Sequence, residues 1–380
     1  MNAIRVGIIA EQLLRRPPGG IGVYIRSLFG ALAGSTGSTS AEQATTSIGT
    51  TNRAEVGLVL SRGLAADQRM LLPAGTPLSE VLTPHRLTVE LVHRGLPVPG
   101  SGRARRGLDV LHAASLDLLP GNVPLAAFVH DTLWRSWPDA YTARGIAWHE
   151  RALRRTIDNA RVLLVPSEPV AAELVASGAS AESIRVVGEG ADHLPLLPRE
   201  ADTAGPDGYL LSVATSQPRK NLVGLLDGYR VYRSRAANPL RLVLVGPTGW
   251  GADLPPIPAG VEVAGAVTDQ RLAQLYSGAA ALVTVPLAEG YGLPVVEAWR
   301  AGTPVICSDG VPVALEHPDA VAITDALDAD AIALTIVGVL NDQAATQGRV
   351  DTGREIANRL TWATVAQHHL EAWTSVVVPR

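Results

Sequence analysis

Residues Ala288–Ser308 read AEGYGLPVVEAWRAGTPVICS, and the order of residue types in them decides the fold. The apolar run Ala281–Val285 comes just before and ends at Pro286. Gly290 and Gly292 then make a turn. Pro294 sits in the first turn of the helix that follows, where its missing N–H costs nothing. That helix runs over Pro294–Ala301 and leads into a strand at Val305–Cys307. Strand, glycine turn, helix and strand make the repeating piece of a parallel sheet with helices on both faces. The backbone of Gly290, Tyr291, Gly292 and Leu293 opens the helix, and such a helix start suits an anion such as diphosphate. Glu289 precedes the turn and Glu297 lies about one helical turn inside. Carboxylates there would repel phosphate on contact, so they suit hydroxyls of a sugar on either side of it. A lone Glu in either place reads as a turn residue or a solvated helix position; the surrounding pattern favours the ligand.

Working outward, the same alternation fills most of the chain. Upstream come strand Tyr209–Val213, helix Leu222–Arg233, strands Arg241–Val245 and Val261–Ala264, and helix Asp269–Ser277. Downstream come helix Asp330–Asn341 and a last amphipathic helix over about Trp362–Trp373. Asp192–Gly208 breaks the pattern with Pro195, Pro198 and Pro206 among polar residues and reads as a linker. Before it lies a second alternating series. Its strands are Ile4–Ala10, Val56–Leu60, Asp109–His112, Leu125–Val129, Arg161–Val165 and Ile184–Val187. Its helices are Gly20–Leu32, Leu78–His93, Ala140–Asp158 and one that starts after a capping Ser167 and stops at Gly178. Gly34–Arg53, rich in Ser, Thr and Gly, reads as a flexible insertion. The expected class is α/β, with two Rossmann-like domains over residues 1–195 and 205–355 and a cleft between them.

Composition agrees with this and removes other classes. The chain has 380 residues, 47% hydrophobic and 18% charged, with net charge −4. That is a soluble two-domain composition without the basic excess nucleic acid asks for. The single cysteine, Cys307, forms no disulfide within the chain and reads as a small buried residue. The start MNAIRVGIIAEQ lacks a signal pattern, and no apolar run is long enough to span a bilayer. The expected place is the cytoplasm, with attachment at the inner face of the membrane left open. Of the 32 Lys and Arg, only Lys220 is a lysine. The two cations differ where a compact point charge is needed. No His or Cys spacing fits a metal site, so none is expected.

The Ala288–Ser308 stretch resembles the Glu-x7-Glu signature of the retaining glycosyltransferases of family 4, which have the GT-B fold. The pair is Glu289 and Glu297. The resemblance implies that Glu289 meets hydroxyls of the donor sugar and that Glu297 binds the ribose. Ser212–Asn221, SVATSQPRKN, resembles the family segment whose basic residues hold the donor diphosphate, here Lys220 and Arg219. Gln217 stands where the family often has Glu, and Ala214 where some members have Arg. Pro18–Ile25, PGGIGVYI, is similar to the family's glycine-rich loop, with Gly19, Gly20 and Gly22 as candidates. His130 and Asp131 follow a strand as in the family's His-Asp stretch, where the His approaches the sugar. Gly246 and Val267 match where backbone surrounds the nucleobase, and Glu168 matches a recurring position that helix capping explains as well. The resemblance spans about residues 4–375, and in the family the final helix, here about 360–375, packs back on the first domain.

The implied reaction is a hexosyl transfer from a nucleoside diphosphate sugar, without cofactor. The pattern looks most like bacterial mannosyltransferases that use GDP-mannose, while UDP- or dTDP-sugars stay open. The acceptor implied is a hydroxyl of a polysaccharide or lipid-linked glycan. Two other readings are weighed. A dinucleotide oxidoreductase needs its glycine motif straight after the first strand, and PGGIG comes too late. A catalytically inactive relative, acting as a nucleotide-binding or partner subunit, fits Gln217 but not the intact Glu289, Glu297 and Lys220. Arg103, Arg105 and Arg106 form a basic cluster that a lipid-linked acceptor or anionic membrane surface could use; a solvated loop explains it too.

Overall fold

The computed structural model describes residues 3–15, 19–34, 54–61, 69, 72, 76–199, 208–246 and 256–377. The chain divides into two compact units. The first contains residues 1–135, 141–189 and 362–380, and the second 136–140 and 190–361. The insertion expected at Gly34–Arg53 lies outside the described residues after Gly34, as do Pro18 and the linker's Pro206.

The first unit is built on strands β1 (Ile4–Ile9), β2 (Ala54–Leu60), β3 (Leu78–Glu80), β4 (Val110–Ala113), β5 (Leu125–Phe128), β6 (Val162–Val165) and β7 (Ile184–Val186). They form one sheet in the order β3-β2-β1-β4-β5-β6-β7. Every pairing in it is parallel. Strands in such a sheet are covered on both faces, which is why they read as continuous apolar runs. Helix α1 (Gly19–Gly34) covers one face with Tyr24, Ile25, Leu28 and Phe29. Helices α2 (His85–His93), α3 (Ser101–Ala104), α4 (Ala143–Asn159) and α5 (Glu168–Ala176) complete the connections.

The single helix expected over Leu78–His93 is two elements. Leu78 pairs with Leu58 at the sheet edge, and the helix starts only after Pro84, which sits at its cap with φ −61° and ψ 152°. A residue before proline avoids helical backbone, so the helix could not have continued through Thr83. Thr142 caps α4 by accepting from the Gly145 N–H at 3.0 Å. Ser167 holds the cap position of α5, but its side chain makes no capping bond.

The second unit repeats the plan with β8 (Tyr209–Val213), β9 (Arg241–Val245), β10 (Val261–Gly265), β11 (Ala281–Thr284), β12 (Val305–Ser308) and β13 (Ala322–Thr324). The order is β10-β9-β8-β11-β12-β13, again parallel throughout. Its helices are α6 (Leu222–Arg235), α7 (Asp269–Gly278), α8 (Leu293–Ala301), α9 (Pro312–Glu316), α10 (Ala329–Asn341) and α11 (Gln343–Arg359). Ala191 and Leu194, at the start of the expected linker, pack into the core of this unit. Gly353 of α11 lies against the buried Trp299 ring, where a Cβ would stand 2.5 Å from Cδ1. Cys307 is fully buried, and burial, with help from Asp309, pushes its thiol up to about 12.

Helix α12 (Trp362–Val376) belongs to the first unit, where Trp362, Leu370 and Trp373 join the α1 core. A polar chain runs through that core. Trp373 Nε1–H points at His112 Nδ1, 3.4 Å away. His112 Nε2 lies 2.8 Å from the Tyr24 hydroxyl, which in turn is 2.7 Å from His369 Nε2. His369 Nδ1 reaches the Val365 carbonyl at 2.7 Å. A carbonyl only accepts, so His369 carries its proton on Nδ1 and accepts from Tyr24. Tyr24 then accepts from His112 Nε2–H, leaving His112 Nδ1 for the indole. One set of neutral tautomers satisfies every group.

Candidate active site

Ligands of open parallel sheets bind at the carboxyl ends of the strands. In the second unit the ends of β8 and β11 carry the cations and the first acid of the signature. After β8 the chain makes a tight turn over Pro218–Lys220 and enters α6 through Asn221. Asn221 takes the left-handed conformation, φ 53°, which Asn tolerates better than most residues. Its Oδ1 accepts from the Gly224 N–H at 3.2 Å. Its Nδ2 donates to the carbonyls of Val285 at 3.0 Å and Ala326 at 2.7 Å. The Leu287 N–H donates to the Arg219 carbonyl at 2.8 Å. These bonds tie the cation turn to the turn that carries Glu289.

There the three charged side chains meet. Arg219 Nη1 donates to Glu289 Oε2 at 3.0 Å, and Lys220 Nζ donates to Oε1 of the same carboxylate. All three are largely buried. Burial alone would raise the Glu289 pKa, but the charges and hydrogen bonds of Lys220 and Arg219 outweigh it and hold the carboxyl below its usual range. Among the described residues this cluster holds two cations on one carboxylate.

Past Glu289, Gly292 opens α8 at φ 120°. A Cβ there would strike the Val311 side chain, so the turn requires glycine. Tyr291 is buried and its carbonyl accepts from the Val313 N–H at 3.1 Å, holding the turn over Gly290–Leu293 against α9. Glu297 is not a solvated helix position. It is 7% exposed, with Oε1 2.8 Å from His193 Nε2 and Oε2 accepting from the Tyr276 hydroxyl at 2.5 Å. Burial, then the Glu297 charge, pushes the Tyr276 hydroxyl well above its ordinary pKa, so it stays a donor.

The ends of β8, β9 and β10, with Ser216 and Leu222 on either side of the cation turn in sequence, line a cavity of about 340 Å³. Ala214, Ser216, Leu222, Gly246, Gly265 and Ala266 are among its walls. Its size is that of a small-molecule pocket. Gly246, φ 141°, faces the Ala214 carbonyl so closely that a Cβ would collide with it. Val267 lies just past this wall and packs on the core of the unit.

In the first unit, Gly19 and Gly20 are exposed at the start of α1, with open space where a Cβ would point, while Gly22 is buried. His130 follows β5. Its Nε2 is 3.0 Å from the Ala114 carbonyl and its Nδ1 3.6 Å from Glu189 Oε1. The rings of Phe128 and Tyr24 flank it, centroids 4.5 and 5.1 Å away. Asp131 accepts from the Leu133 N–H at 3.2 Å and shapes its own turn. Glu168 is exposed in the first turn of α5.

Sequence reading missed three partners. Glu189 is an acid between two glycines after a strand, a pattern that could have marked it. His193 sat inside the expected linker, and nothing in the sequence singles out Tyr276. Among the described residues no helix is long and apolar enough to cross a membrane.

Comparison with known proteins covers both units. A family model described as "Glycosyltransferase Family 4" matches residues 65–193, and one described as "Glycosyl transferases group 1" matches residues 207–342. The chain is 26% identical over 262 residues to O-antigen chain mannosyltransferase B of Escherichia coli, covering 64% of this chain and 68% of that protein. It is 27% identical over 301 residues to the MMP alpha-(1->4)-mannosyltransferase of Mycolicibacterium hassiacum, covering 72% of each. Among solved structures, Anabaena Alr3699/HepE in complex with UDP and glucose superposes with TM-score 0.71 at 16% identity, over 98% of this chain and 100% of that one.

Proposed function

This chain belongs to the glycosyltransferases of group 1 and family 4, with the GT-B fold, and on that premise we propose that it moves mannose from GDP-mannose to a hydroxyl of a glycan or lipid-linked glycan with retention of configuration. The observation that carries the reading is the cluster of Lys220 and Arg219 on Glu289. Departure of a nucleoside diphosphate builds negative charge on its terminal phosphate, and cations held in place before the reaction stabilise it without reorganising. An ammonium has three donors and a guanidinium five, so both cations can keep Glu289 and still bind phosphate oxygens. Glu289 stays ionised and, with its remaining lone pairs, accepts from hydroxyls of the sugar. The nucleoside takes the 340 Å³ cavity, with its ribose toward Glu297. His193 and Tyr276 fix the Glu297 carboxylate and leave it acceptor capacity. In this scheme the cations do the work a metal does elsewhere.

Mannose rests on the two mannosyltransferase relatives, and UDP-glucose competes because a structural neighbour was crystallised with UDP and glucose. The test offers GDP-mannose, UDP-glucose and dTDP-glucose singly, with a mannose-terminated oligosaccharide, and reads nucleotide release and proton NMR of the product. Release of GDP with an α-linked product is expected. Release of UDP or dTDP instead would move the donor, and a β-linked product would remove retention. Nucleotide binding without turnover would favour the inactive partner subunit.

A further inference from the structure

The donor chemistry leaves the arginine cluster without a role. Arg103 lies on α3, and Arg105 and Arg106 on the turn after it. Arg105 and Arg106 line a cavity of about 1270 Å³ together with Arg5, Arg161, Asp109 and Asp158. The cavity lies at the starts of β1, β4, β5 and β6, the end of the sheet opposite the one that carries His130.

The charge balance there is uneven. Arg5 grips Asp109 with Nε and Nη2, each at 3.2 Å, so that pair is neutral. Among the described residues that line the cavity, Arg105, Arg106 and Arg161 remain against Asp158, three charges against one. Arg105 is half-buried. Its Nη1 donates to the Pro120 carbonyl and its Nη2 to Ser101 Oγ at 3.3 Å. Its Nε is buried without a hydrogen-bond partner, and among the described residues no carboxylate pairs with it. A partly desolvated cation without a counter-charge is costly unless an anion completes it. Burial lowers the Arg105 pKa, in keeping with that cost. The pocket is also shaped for this side chain: a Cβ on Gly121 would collide with the Arg105 guanidinium. The rim at Gly102 has open space on its Cβ side.

We propose that this cavity is a second anion site that takes a phosphate or diphosphate group on Arg105, Arg106 and Arg161. The planar guanidinium fork matches phosphate oxygens in pairs. The volume is far above the ~30 Å³ share of one water, so a phosphate or diphosphate group has room in it. A soluble phosphate compound and a lipid headgroup share this chemistry.

The experiment uses the full chain carrying Arg219→Ala and Lys220→Ala, which removes both donor cations, with and without Arg106→Ala and Arg161→Ala. Arg106 and Arg161 are exposed, and circular dichroism confirms that the variants fold. Inorganic pyrophosphate is titrated calorimetrically, and pelleting is measured with phosphatidylcholine vesicles with and without phosphatidylglycerol. The arginine substitutions are expected to weaken one of the two roughly ten-fold or more, the scale of a lost charged hydrogen bond. Weaker pyrophosphate binding identifies a soluble phosphate compound, and weaker pelleting with phosphatidylglycerol a headgroup. No binding of either probe, or binding that ignores the arginine substitutions, would overturn the proposal.

Discussion

The two units each bury a polar network, and the two differ in charge. In the first unit Trp373, His112, Tyr24 and His369 form a neutral chain in which every donor meets an acceptor. It joins α1, β4 and α12, residues separated by up to 345 positions in the sequence. In the second unit Lys220, Arg219 and Glu289 form a charged cluster at the ends of two strands. A neutral chain that is already complete has nothing to offer a ligand, and its work is to fix one packing of three elements. A cluster in which two cations share one carboxylate is, on the proposed function, held ready for a phosphate. The neutral chain thus fixes packing in one unit, and the charged cluster is the proposed seat of chemistry in the other.

The sharpest way to break this contrast is Lys220→Ala. Turnover is expected to fall about 10²–10³-fold, the loss of roughly 2.7–4 kcal/mol of charge stabilisation, with much less effect on the unfolding midpoint. Near-normal kcat would remove Lys220 from the chemistry.

Acid separates the networks by order of failure. Burial holds His369 down at about 4 and His112 well below its ordinary value. In the unfolded chain both return to about 6.5. Between those values the unfolded state binds more protons, so stability falls as pH drops through this window, by up to ~3 kcal/mol for His369. Glu289 is shifted in the same direction but starts from the lower carboxylate range, so it fails later. Its contribution is complete above the ordinary carboxylate pKa and is lost only as pH falls through its lowered value. Denaturant unfolding followed from pH 7 to pH 4 should show the loss beginning near 6.5. A flat profile down to pH 4.5 would mean the histidines do not titrate on unfolding as described.

Tyr24→Phe isolates the neutral chain with a smaller effect. It keeps the ring but leaves the Nε2 of His112 and the Nε2 of His369 without a partner, at a cost of about 1–3 kcal/mol per buried group. Urea unfolding should register it. Stability equal to the parent would show that the histidines find other partners.

The alternation of strands and helices was legible because a parallel sheet buried on both faces spells its strands as apolar runs. What escaped was short or weakly patterned. β13 has only three residues. Helix α11 buries only Val350, Gly353, Ile356 and Ala357 along 17 residues, too thin a stripe to stand out. Pro84 did carry the signal that splits Leu78–His93, and the apolar spacing across it obscured that signal. Glu289 and Glu297 were legible because a glycine turn and a helix start frame them, and Arg219 and Lys220 because SVATSQPRKN resembles a family segment and holds the only lysine. Their internal partners were not, since Tyr276 meets Glu297 only through the packing of α7 on α8, and His193 looked like linker.

The central claim is that the cation turn of the second unit, with the cavity at the ends of β8, β9 and β10, holds a nucleoside diphosphate. The direct measurement is a calorimetric titration with GDP, UDP, dTDP and ADP, without added metal, on the parent chain and on Lys220→Ala. The account predicts selective binding of one nucleotide, GDP first, that weakens sharply in Lys220→Ala. Folded protein that binds none of the four, or binds one equally well without Lys220, would contradict it.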